Sequence, residues 1–202
     1  MLSIKDRQIE LAFLGYYDGA IDGIEGKKTK NAYLKLQQDY FVNNKYRHDI
    51  DGIYGMNTDR LLVNLYNVTK TCKHFKLKEL KCKCNNRYCS GYPAYLNESL
   101  LINMEKIRNY LKTPIIVSSC IRCTTHNRIV GGTSSSRHLF GKAFDFYSNG
   151  FKNLEKRKEV INKWVSYKNS RYGYTTGYSN LEGSIKYPSK TTLGNYIHGD
   201  VK

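Results

Sequence analysis

Apolar side chains recur along this chain in two rhythms. Ile4 to Leu14 reads as a helix that stops at Gly15. Ala32, Leu36 and Tyr40 fall at helical spacing within residues 30–41, and Leu61, Leu62 and Leu65 do so within 60–66. Leu100, Leu101, Met104, Ile107 and Leu111 give an amphipathic helix over 97–111, stopped near Pro114. Another helix over 154–168 turns Ile161, Trp164 and Val165 inward. Elsewhere the period shortens: 114–120 is a mostly apolar run that reads as a buried strand, 142–147 alternates as a second, and 195–201 reads as the last. Helix, strand, strand, helix, strand predicts an α+β domain with a mainly antiparallel sheet, preceded by a small three-helix bundle.

The bundle carries an internal repeat. Asp22-Gly-Ile-Glu-Gly-Lys-Lys-Thr29 and Asp51-Gly-Ile-Tyr-Gly-Met-Asn-Thr58 share Asp-Gly-Ile-x-Gly-x-x-Thr. Each copy reads as a tight turn at Asp-Gly, a second glycine that permits a positive φ, and a threonine that caps the next helix. The polar stretch 67–71 lacks strong periodicity, which divides the chain into a helical module over 1–66, a linker over 67–71 and a second domain over 72–202.

Composition narrows the function classes. An apolar fraction of 40% and 18 tyrosines among 202 residues are enough for packed cores, so wholesale disorder is excluded. Lysine and arginine outnumber aspartate and glutamate 33 to 17, a net charge of +16 that favours a polyanionic partner. Nucleic acid, an anionic membrane face and anionic polymers of a bacterial wall all satisfy that, as does a merely lysine-rich solvated surface. No basic helix or nucleic-acid fold signature supports the first. The first ten residues break any apolar run with charge, so no signal peptide is expected, and no stretch reaches the roughly 20 apolar residues that span a bilayer. The expected place of synthesis is the host cytoplasm, without membrane insertion.

Ser136-Arg-His-Leu-Phe-Gly-Lys-Ala-Phe-Asp145 places His138 and Asp145 seven residues apart, and the chain closes on Ile197-His-Gly-Asp-Val-Lys202. Two imidazoles and a carboxylate converging on one point would hold zinc with its fourth position open, the catalytic form of such a site. A lone histidine is more often a hydrogen-bonded core or surface residue, but here three residues fall in two motifs.

Those motifs, with Val117-Ser-Ser-Cys-Ile-Arg122 and His126-Asn-Arg-Ile-Val-Gly-Gly132, resemble the zinc D-alanyl-D-alanine carboxypeptidases and L-alanyl-D-glutamate endopeptidases, whose fold is shared with the hedgehog signalling domain. The first third of the chain is similar to the three-helix peptidoglycan-binding domain attached to many wall hydrolases. The resemblance implies His138, Asp145 and His198 as zinc ligands and Arg122 as the group that binds substrate and steadies developing negative charge. It implies zinc-activated water, with a nearby carboxylate taking the proton. Several relatives carry that acid three residues before the last zinc histidine, where this chain has Asn195. Asp200 takes its place as candidate acceptor, or as a residue that orients a ligand, and Glu182 is a further candidate. Ser136, Gly131, Gly132 and Asn127 are expected to shape the ligand loop, and Asp22 and Asp51 to hold the bundle's turns.

The resemblance as a whole implies a phage endolysin that cuts a peptide bond in peptidoglycan, its charge favouring anionic wall polymers and its helical module anchoring it to the wall. A carboxypeptidase trimming wall precursors, a catalytically silent zinc-containing wall-binding protein and a basic nucleic-acid binder are the competing readings. Cys72, Cys82, Cys84, Cys89, Cys120 and Cys123 all fall in the second domain. Disulfides, packing thiols and a second, structural zinc are open for them.

Overall fold

The computed structural model describes residues 1–41, 50–89, 91–94, 96–151, 153–175, 178–179 and 196–202. Asn195 and Glu182 lie outside them. Three helices come first: α1 (Ile4–Leu14), α2 (Lys27–Phe41) and α3 (Met56–Thr71). Ser3 caps the start of α1 through its hydroxyl, and Gly15 ends it at φ 82°, a left-handed turn that glycine adopts without a Cβ penalty.

The repeat is held by residues outside the motif. Gln8 on α1 and Gln37 on α2 are buried, and each lies fourteen residues before the aspartate of its loop. The Gln8 amide donates to Asp22 Oδ1 at 2.9 Å and to the Ile24 carbonyl at 3.0 Å, while its oxygen accepts from the Gly23 amide at 2.8 Å. Gln37 repeats the pattern with Asp51, Ile53 and Gly52 at 3.2, 2.9 and 2.8 Å. Two details differ from expectation. The positive φ falls on the first glycine of each motif, Gly23 and Gly52, because that residue turns its amide toward the glutamine. Thr29 and Thr58 lie inside the helices, where their hydroxyls meet the glutamine amide, and extended Gly55 caps α3.

The expected linker is also helical. Residues 67–71 form the end of α3, and Val68 is 2% exposed. A polar sequence continues the helix because one buried position per turn is enough to hold its face against α5. Short α4 (Leu77–Leu80) follows, then α5 (Glu98–Leu111), capped by the Asn97 side chain. Tyr40 of α2 stacks on Tyr92 at 4.9 Å, and Tyr92 donates to the Leu77 carbonyl at 2.7 Å. One apolar core therefore runs from Leu11 to Val201, through both sequence regions.

The remainder is a sheet with helices packed against it. Strands β1 (Ile116–Ser119), β2 (Ala143–Tyr147), β3 (Ser170–Thr175), β4 (Tyr178–Ser179) and β5 (Tyr196–Val201) are ordered β1-β2-β5-β3-β4, with every pairing antiparallel. The chain thus has the expected α+β class. Helix α6 (Thr124–Ile129) follows β1, and α7 (Leu154–Val165) packs on β3 and β5. Trp164 of α7 donates its indole N–H to the carbonyls of Tyr172 and Asp200, and its ring lies 5.1 Å from Phe144. Strand alternation sends Phe144 and Phe146 into this layer and Asp145 to the opposite face.

Candidate metal centre

Three elements carry the three expected ligands. His138 stands on a single 3-10 turn, Arg137–Phe140, closed by Gly141 at φ 62°. Asp145 is central in β2, and His198 is its direct cross-strand partner in β5. Opposed residues in an antiparallel pair bring their side chains together on one face, so pairing alone delivers two of the ligands. His138 reaches them because the turn returns directly into β2.

The geometry converges on one carboxylate oxygen. Asp145 Oδ1 lies 2.7 Å from His198 Nδ1 and 3.3 Å from His138 Nε2. One ligand atom from each residue lies within 4.8 Å of the others, and all three side chains are buried. His138 Nδ1 is 2.6 Å from the Cys120 carbonyl, which can only accept, so Nδ1 carries the proton and Nε2 presents its lone pair to the site. His198 Nε2 points the other way, toward Asp200 Oδ2 at 3.8 Å.

Electrostatics follow from this crowding. Burial is the largest influence on His138 and lowers its pKa, offset in part by Asp145. Burial also pulls His198 down, but the carboxylates of Asp145 and Asp200 outweigh it and hold its pKa above the ordinary value. Burial would raise Asp145, yet the two imidazoles overcome it and keep the carboxyl well below the usual carboxylate range. Two nitrogen donors and one anionic oxygen, gathered in a buried site, fit zinc: a tetrahedral ion with bonds of about 2.0–2.2 Å sets its ligands about 3.4 Å apart. The cation would replace the hydrogen bond between His198 Nδ1 and Asp145 Oδ1.

The surrounding residues fix this arrangement. Arg122 pairs with Asp145 Oδ2 and donates from Nε to Ser119 Oγ at 2.7 Å, so Asp145 keeps Oδ1 for the imidazoles. Those two contacts use two of the five guanidinium N–H donors. The Arg122 amide donates to the His138 carbonyl at 3.1 Å, tying the two loops together. Asp200 is 2% exposed and pairs with Arg171 at 3.0 Å, behind His198 as seen from Asp145. Asn127 donates to the Thr133 carbonyl at 2.8 Å, across a turn in which Gly131 has φ 76°. Ser136 contributes its carbonyl, to the Leu139 amide, and makes no side-chain cap.

Four neighbours went unnoticed in the sequence. Tyr174 pairs with His198 across β3–β5 and stacks on its ring at 4.6 Å and 24°, with Tyr172 beside it at 5.6 Å. Tyr172-x-Tyr174 opposite His198-x-Asp200 is the signal that finds them. Ser119 stands inside the Val117–Arg122 motif, where no role was expected of it, and Arg171 lies on β3, which carries no motif.

The chain matches the peptidase M15 family over residues 73–177, a span that includes Arg122, His138 and Asp145. It is also 32% identical over 149 residues to the zinc D-Ala-D-Ala carboxypeptidase of Streptomyces albus G. That alignment covers 69% of this chain and 56% of the relative, so the chain spans about half the length of the curated relative it matches.

Proposed function

The chain belongs to the peptidase M15 family, and from that membership we propose that it is a zinc peptidase of the bacterial cell wall, acting as an endolysin on a stem-peptide or cross-link bond. The observation that carries this reading is the convergence of His138 Nε2 and His198 Nδ1 on Asp145 Oδ1. The name of the relative in Streptomyces albus G favours a second reading, removal of a terminal D-alanine.

His138, Asp145 and His198 hold the metal, and zinc when bound supplies Lewis acidity to a peptide carbonyl and to water. The chain's own residues do the rest. Arg122 holds Asp145 Oδ2 and so keeps Oδ1 turned toward the imidazoles, and its remaining N–H donors serve a substrate carboxylate or a carbonyl gaining negative charge. Tyr174 covers the His198 ring and restricts its rotation. Asp200 is better suited to orienting His198 than to accepting a proton from water, because it faces the ring nitrogen turned away from Asp145. The helical module binds wall: Ile24 and Ile53, equivalent in the two repeats, are 68% and 66% exposed. A cleft of about 340 Å³ beside the second copy is lined by Glu25, Lys30, Asn31, Leu34, Asp51, Gly52 and Ile53.

The test is digestion of purified sacculi with and without a chelator, reading new amino and carboxyl termini by mass spectrometry. New internal ends that disappear with chelator are expected, and their absence overturns the endolysin reading. Release of terminal D-alanine alone selects the carboxypeptidase instead. His138→Ala should abolish both zinc at this site and turnover. For Asp200→Asn, an orienting role predicts a fall of about 10–100-fold in activity or metal affinity, with the acid limb of the pH–rate profile retained. Loss of that limb with zinc bound makes Asp200 the proton acceptor.

A further inference from the structure

The peptidase centre leaves one chemically distinctive group unused. Cys82, Cys84 and Cys89 come from one loop and Cys123 from the segment that follows Arg122, yet the four sulfurs lie within 4.8 Å of one another. Cys84 Sγ and Cys89 Sγ are 3.5 Å apart, far beyond the roughly 2.05 Å of a disulfide, and all six cysteines are free thiols. The four form a small cluster of their own, separate from the main core. The other two lie outside the cluster and are packed in the main core, where Cys72 donates to the Leu101 carbonyl at 3.4 Å.

The backbone is shaped to this cluster. Asn85 and Asn86 both adopt left-handed conformations, φ 53° and 60°, which turn the chain sharply between Cys84 and Cys89. The Cys82 amide donates to the Gly91 carbonyl at 2.7 Å, and Gly91 has φ 118°. Two amides point at sulfur: Cys123 N–H at Cys82 Sγ, 3.3 Å, and His126 N–H at Cys123 Sγ, 3.4 Å. Fixed N–H donors aimed at sulfur favour its thiolate form, the form that ligates metal.

We infer that Cys82, Cys84, Cys89 and Cys123 form a second zinc site, closed and structural, independent of His138, Asp145 and His198. Four soft ligands without nitrogen or oxygen suit tetrahedral zinc, whose bonds of about 2.3 Å set sulfurs about 3.8 Å apart. Its role follows from position. Cys123 adjoins Arg122 and caps α6, while the Ile121 amide donates to the Leu80 carbonyl at 3.1 Å. Zinc there clamps the loop over 82–89 to the segment that carries Arg122.

The test is zinc stoichiometry of the full chain purified without chelator, with the zinc-edge X-ray absorption of the His138→Ala variant. Two zinc ions per chain are expected, falling to one in His138→Ala, whose remaining ion has four sulfurs at about 2.3 Å. Cys84→Ser with Cys89→Ser should also fall to one, while Cys120→Ser keeps two. Because the wild type and His138→Ala leave the cluster intact, the result stands even if the cysteine variants do not fold. One zinc that vanishes in His138→Ala, iron in place of the second zinc, or an intact mass four hydrogens lighter through two disulfides each overturns the inference. Failure of the catalytic reading is distinguishable: there the zinc that survives is the all-sulfur one, and His138→Ala changes nothing.

Discussion

A single methyl group tests how tightly the site is backed. Gly199 lies between His198 and Asp200, and a Cβ there would meet the Trp164 indole at 2.7 Å, a contact no side chain tolerates. Gly199→Ala is expected to destabilise the fold by about 1–3 kcal/mol through overpacking and to weaken zinc binding, as read by denaturant unfolding and metal titration. Gly173→Ala, whose nearest contact is Ile161 at 3.1 Å, should cost less. The glutamines give a parallel case. Gln37→Ala strips the partner from the buried Gly52 amide, and leaving such a group unsatisfied costs about 1–3 kcal/mol; zinc content should not change. Protons provide a third. His198 is held above its ordinary pKa, so its bound proton favours the metal-free fold below pH of about 6.5, and that contribution is lost as pH rises through the raised value. Zinc must displace the same proton. Its apparent affinity is therefore expected to fall by about tenfold per pH unit on acidification below that value, measured by chelator competition; an affinity flat between pH of about 5.5 and 8 contradicts the ligand role of His198.

Elements were legible where their periodicity is strong and obscure where partners decide. The bounds of α1, α5 and β2 follow from apolar spacing and caps, and the motif residues place His138, Asp145 and His198 without coordinates. Strand β3, Ser170–Thr175, went unread because its serine, arginine, glycine and threonine carry no apolar alternation; pairing with β5 makes it a strand. Helix α6 is six residues long and held by the Cys123 sulfur, too short for a period to show. The polar stretch 67–71 misled because Val68 is its one buried residue, too little apolar content to show a period. A flexible Gly-Ser insertion after Tyr66 is therefore expected to lower stability measurably in denaturant unfolding, whereas a true linker would absorb it.

At the scale of the molecule, the two sequence regions share a core, so heating should give one cooperative transition with calorimetric and van't Hoff enthalpies in agreement. Two separated transitions would mean that the Tyr40–Tyr92 stack and its neighbours do not couple them. The net charge of +16 predicts wall binding that weakens as salt rises and the Debye length shrinks, read by sedimentation with sacculi. No helix among the described residues is long and apolar enough to cross a membrane. The glutamine latches also say something about growth. Each helix grips the loop that launches the next, so the unit is open-ended, a tile that can be laid again. One repeat length beyond Gln37 stands Tyr66, packed edge-on against Phe13, and there the tiling stops. A longer helical arm would be built by inserting one more copy between α2 and α3, its helix bearing glutamine at that place.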